Sequence, residues 1–141
     1  MSHYQRIACL CTEAVDTLYA LGAEEHIAGI SGFTVHPPRA REEKPKISGF
    51  SSGKIERILS VEPDLVVGYS SLQAELCKDL SKAGVEVLLF NHRTISGILR
   101  MVRVLAALVE KEKQGNLLEI TLHTRLDVAR TQAKLWDLAG W

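Results

Sequence analysis

Cysteine is too scarce in this sequence to brace it. The three present, Cys9, Cys11 and Cys77, cannot all pair with one another, so a disulfide framework is not expected and a reducing compartment fits better. Charge of one sign is missing too. Seventeen basic side chains face seventeen acidic ones, and without a net basic field nucleic acid is a poor partner. No apolar run reaches about 18 residues, so no membrane-spanning helix is expected. The opening "MSHYQRIACLC" is too polar for a signal peptide. The chain as written is therefore expected in the cytoplasm, or in the periplasm if an export signal was removed.

Several motifs are missing as well. No G-x-G-x-x-G follows an apolar run. "GFSSGK" imitates a phosphate loop, but Gly49 and Gly53 enclose three residues and Ile55 follows Lys54, where such a loop needs four residues and then Ser or Thr. No Gly-x-Ser-x-Gly elbow surrounds Ser51, Ser52, Ser70 or Ser71, so neither nucleotide binding nor serine hydrolysis is indicated. No acid–base pair is placed by spacing, and the protein is expected not to be an enzyme.

What is there is a βα rhythm. The chain of 141 residues, 46% hydrophobic, is the size of one core. "RIACL" is a short strand, followed by a helical face of Val15, Leu18, Tyr19 and Leu21 and a stop at Gly22. "IAGI" is a second strand. The stretch Ser31–Phe50, "SGFTVHPPRAREEKPKISGF", has no apolar period and reads as a proline-stiffened loop with self-neutralising charges. Ile55, Ile58 and Leu59 begin a short helix that Glu62-Pro63-Asp64 ends. "DLVVGYSS" is a strand. A helix with Leu72, Leu76, Cys77 and Leu80 inward follows, then the strand "VEVLLF".

Thr94 caps a long helix with an apolar stripe from Ile95 and Ile98 to Val109. Gly115 punctuates, and a second long pattern carries Leu118, Leu122, Leu126, Ala129 and Ala133 on one line. The expected architecture is α/β: an open, mostly parallel sheet flanked by helices and ending in two long helices. Ligands of such sheets bind beyond the carboxyl ends of the strands. Those ends carry Phe33, Tyr69 and His92, with Phe50 after "KISG". His36 lies on a loop of the same edge.

Cys9 and Cys11 alternate onto one strand face, where a shared metal is geometrically conceivable. With no second pair, buried inert thiols are the better account. His36 and His92 could serve a metal-ion-binding lobe or be ordinary rim residues. Glu56, on the polar side of "KIERI", is either a solvated charge or a docking charge for a partner's arginine pocket.

The string "RIACLCTEAVDTLYALGAEEHIAGIS", the "PP" pair, "KISGF", "KIERILSVEPDLVVG" and "AGVEVLLF" together resemble a known family. They look like the N-terminal lobe of substrate-binding proteins of ABC importers for cobalamin, ferric siderophores and haem. The likeness runs from about Arg6 to Ala133 and is nearest to signal-less cobalamin-binding members.

The resemblance implies a ligand-binding lobe over residues 1–112 and a connecting helix with a truncated C-terminus over 113–141, the second lobe that such proteins carry being expected to be absent here. It implies a cobalamin-like corrinoid or related metal chelate as ligand and no required cofactor. Phe33 and Phe50 would be apolar walls, with Thr34, Ser51, Tyr69 and His92 as polar rim. Glu56 falls on the glutamate that docks to a transporter's membrane subunits. A lone lobe would also leave the Leu118–Leu122–Leu126–Ala129 stripe, Trp136 and Trp141 exposed. That suggests a homodimer through the C-terminal helix, or a truncated receptor acting only as an oligomerising module.

Overall fold

The computed structural model describes residues 3–48 and 55–138. Among them run β1 (Ile7–Cys9), α1 (Thr12–Ala20), β2 (Ile27–Ser31), α2 (Pro38–Glu43), β3 (Lys46–Ser48) and α3 (Ile55–Leu59). The second half adds β4 (Leu65–Tyr69), α4 (Ala74–Lys82), β5 (Val87–Phe90), α5 (Ile95–Leu108) and α6 (Glu112–Leu138). The strands form one five-stranded sheet in the order β3-β2-β1-β4-β5. All four pairings are parallel. The chain therefore winds outward from β1 to β3, returns through α3, and winds the other way from β4 to β5.

That reversal divides the helices. A right-handed crossover places its helix on one sheet face when the chain moves one way and on the other when it moves back. Side-chain alternation along β1 matches. Ile7 and Cys9 enter a core with Val15, Leu18, Leu105 and Val109 of α1 and the α5 end, whereas Ala8 and Leu10 meet Ile58, Leu76 and Leu80 of α3 and α4. Each fully buried Leu or Ile contributes about 1.5–3 kcal/mol relative to an exposed one.

Glycine ends two helices as its backbone freedom predicts. Gly22, at φ 71°, follows α1, where its N–H donates to Tyr19 and that of Ala23 to Leu18. Gly84, at φ 92°, does the same for α4 through Ser81 and Leu80. After α5 the same turn is made by Glu110 at φ 56°, with Lys111 N–H reaching the Ala106 carbonyl.

Several local expectations change. The loop expected over Ser31–Phe50 contains α2, because Pro37 is the N-cap and Pro38 sits in the first turn, where a missing N–H costs nothing. Gly115 does not punctuate. It lies inside α6, where an added Cβ would come 2.5 Å from the Cβ of Ala106, so its lack of a side chain lets α5 and α6 approach closely there.

Leu72 faces solvent rather than the core, since residues 71–73 form a tight turn ahead of α4 that turns Gln73 inward. Ile95 and Ile98 are exposed. On α6, Leu118 and Leu122 rest on this chain's own core, and Leu126 is half-buried while Ala129 and Ala133 are exposed. The large exposed apolar residues of α6 are Leu117, Ile120, Val128, Leu135, Trp136 and Leu138. Trp141 lies outside the described residues.

Candidate functional site

The parallel sheet sends the carboxyl ends of all its strands to one edge, and the loops there build the rim. After β2, Phe33 stands 65% exposed. Its loop is firmly held. Arg41, on α2, donates through one Nη1 to the Gly32 carbonyl at 2.8 Å and the Thr34 carbonyl at 2.9 Å, the two carbonyls flanking Phe33. Gly32 N–H reaches Ser48 of β3 at 2.6 Å.

Thr34, expected on the rim, is completely buried, its hydroxyl 3.2 Å from that of Ser31. It supports the Phe33 loop from beneath and presents no surface to a ligand. Arg39 pairs within the loop with Glu43, as the sequence suggests, and also with Glu24 outside it, and it lies over the Tyr19 ring.

On the far side of the switch point, Tyr69 and His92 come together. The Tyr69 hydroxyl donates to the His92 carbonyl at 3.0 Å, and the two rings lie 4.6 Å apart between centroids. Phe90 joins them at 6.3 Å from His92. Gly97 makes room for this arrangement, since a Cβ there would meet the His92 Cβ at 2.7 Å. Thr94 caps α5 as expected, accepting from Gly97 N–H at 3.0 Å. The Nδ1 of His92 is buried and has no hydrogen-bond partner among the described residues.

Phe33 and Tyr69 follow strands two places apart, a gap of roughly 10 Å, while β2 and β5 are three places apart, roughly 14 Å. His36 is exposed beyond β2. The sheet thus separates His36 from His92, and the described residues contain no cluster of three metal-ligating side chains. Cys9 and Cys11 share one core, where burial drives both thiols upward, Cys11 to about 12. At neutral pH they are thiols, poor metal ligands. Phe50 and Ser51 lie outside the described residues. Glu56 is exposed in the first turn of α3.

Gln73, which no sequence motif marks, ties the switch point. Fully buried, it accepts from Tyr69 N–H at 2.8 Å and donates to the Leu10 carbonyl at 2.9 Å. Arg41 and Gln73 are the positioning residues that sequence reasoning missed. A polar residue just after a strand end was the only signal for Gln73.

A family model for periplasmic binding proteins matches residues 7–137. The chain belongs to the periplasmic binding protein family. Among curated proteins of this family, the vitamin B12-binding protein of Vibrio campbellii is 24% identical over 138 residues, covering 97% of this chain and 50% of that protein. The solved vitamin B12-binding protein of Vibrio cholerae superposes with a TM-score of 0.79 at 25% identity, over 92% of this chain and 51% of the other. A periplasmic haem-binding protein from Pseudomonas aeruginosa gives 0.81 at 23%, over 96% and 48%. The chain spans about half the length of the curated relatives it matches. Among the described residues no helix is long and apolar enough to cross a membrane.

Proposed function

We propose that this chain forms one wall of a binding site for a cobalamin-like corrinoid or a related metal chelate, as a substrate-binding lobe of an ABC importer. The observation that carries the reading is the exposed, backbone-clamped Phe33 on the same sheet edge as the Tyr69–His92 pair. An aromatic face and two polar tips spread over more than 10 Å suit a broad, flat, amphipathic ligand better than a compact ion. Relatives named for vitamin B12 and haem support that class. Phe50, Ser51 and His36 would complete the rim.

No step of covalent chemistry is assigned to these residues; binding is the function. Exposed Glu56 on α3 is the proposed contact to the importer's membrane subunits.

Titration with cyanocobalamin, haemin and a ferric hydroxamate tests this. A saturable change in the corrin absorption band is expected with cyanocobalamin, and no change with any of the three at high micromolar concentration overturns the reading. A second reading, an oligomerising module, is favoured by exposed Val128, Leu135 and Trp136 on α6. Light scattering of the chain and of its Trp136→Glu variant separates the two. A ligand-blind oligomer dissolved by that change supports the second.

A further inference from the structure

We propose that the cleft between β5 and α5 is a separate binding site for a small amphipathic carboxylate. The cleft exists because α4 covers one face of β5, whereas α5 packs chiefly on α1 and α6 and leaves the other face only partly covered. Its volume is about 470 Å³, within the range of small-molecule sites, roughly 300–1,000 Å³. Leu88 and Phe90 give one apolar wall, Met101 and Val104 the other, and Arg100 and His92 stand among the lining groups.

Charge selects the ligand. Among the described residues, none that lines the cleft is acidic. Arg103, one turn further on, is already paired with Glu119 at 3.2 Å. Arg100 has no hydrogen bond or ion pair among the described residues. A guanidinium beside an apolar trough offers a planar fork to one carboxylate while the trough takes a hydrocarbon body. The unpartnered, buried Nδ1 of His92 is a second indication, since orphaned polar atoms are rare in folded proteins unless a ligand or water serves them. This site shares His92 and Phe90 with the rim.

Octanoate is the probe, with 1-octanol as its uncharged counterpart, and amide resonances of Phe90, Thr94, Gly97 and Met101 as the readout. Octanoate should shift these four saturably, and octanol at least tenfold more weakly. Arg100→Gln, at an exposed position, should cost octanoate about tenfold in affinity without touching octanol. Val104→Trp, which fills the trough, should abolish both. Shifts that never saturate, equal binding of the two probes, or an unchanged affinity in Arg100→Gln would each overturn the proposal. A separate cyanocobalamin titration keeps this result distinct from the rim's function: whatever corrin response the wild type gives, Arg100→Gln should leave it unchanged.

Discussion

The side-chain amide of Gln73 donates to the main-chain carbonyl of Leu10 across 2.9 Å, a bond between residues 63 apart in the chain that joins two strand ends. Its carbonyl takes the Tyr69 N–H from the other side. One side chain therefore satisfies a backbone acceptor on the β1 end and a donor on the β4 end, at the place where the sheet reverses direction.

Replacing Gln73 with Met keeps the volume and orphans both groups. The expected loss is about 2–4 kcal/mol, read from urea unfolding, because each buried unpaired group costs roughly 1–3 kcal/mol. Gln73→Glu should lose more at pH 7, since it sets a carboxylate oxygen against the Leu10 carbonyl, and should recover part of the loss near pH 4. Equal stability of Gln73→Met and wild type would remove the bridge from the account.

The two ends of the α5–α6 turn make opposite predictions. Glu110→Gly relieves a left-handed backbone conformation and should stabilise by about 1 kcal/mol. Gly115→Ala drives a methyl into Ala106 and should destabilise by about 1–3 kcal/mol. Thermal melts of both variants decide it, and a stabilising Gly115→Ala would mean the helices are free to part.

Tyr19 links stability to alkaline pH. Burial, then its 2.6 Å hydrogen bond to Glu43, raises its pKa from the ordinary 10.0 to about 12. The folded state holds this proton after the unfolded chain has released it. The contribution is complete below pH 10 and is lost as pH rises from about 10 to about 12. Urea midpoints at pH 9 and pH 11.5 should fall more for the wild type than for Tyr19→Phe, and parallel falls would put the alkaline weakness elsewhere.

Phe33 is the cleanest rim variant. Because it is exposed, Phe33→Ala should change stability by less than about 0.5 kcal/mol. Cyanocobalamin affinity should fall roughly tenfold, the usual cost of truncating an aromatic anchor. Arg41→Ala should also weaken binding, but by loosening the loop, and so should raise amide exchange at Gly32 and Thr34. An unaltered titration in Phe33→Ala would take the aromatic wall out of the site.

The strands, the carboxyl edge and the two long terminal helices were legible because period and glycine stops agree locally, as at Gly22 and Gly84. What escaped depends on distant neighbours. Whether Leu72 or Gln73 turns inward is decided by a turn that feeds α4, and no periodicity encodes it. The role of Gly115 is set by Ala106 on another helix, so it read as a stop. Thr34 looked like rim because strand counting locates a loop without saying which of its side chains point down. Leu118 and Leu122 looked unpartnered because a helical stripe does not reveal that its partner is this chain's own core.

The strand order also fixes a schedule for folding. β1 is made first yet sits in the middle of the sheet, and Ile7 pairs with Leu65. During synthesis β1 can find β2 early but must wait for about half the chain before its other edge is covered. Parallel pairings over such separations are slow to form, and an uncovered apolar strand is an aggregation hazard meanwhile. Yields of this chain should therefore respond to growth temperature and chaperone supply more sharply than its finished stability would suggest.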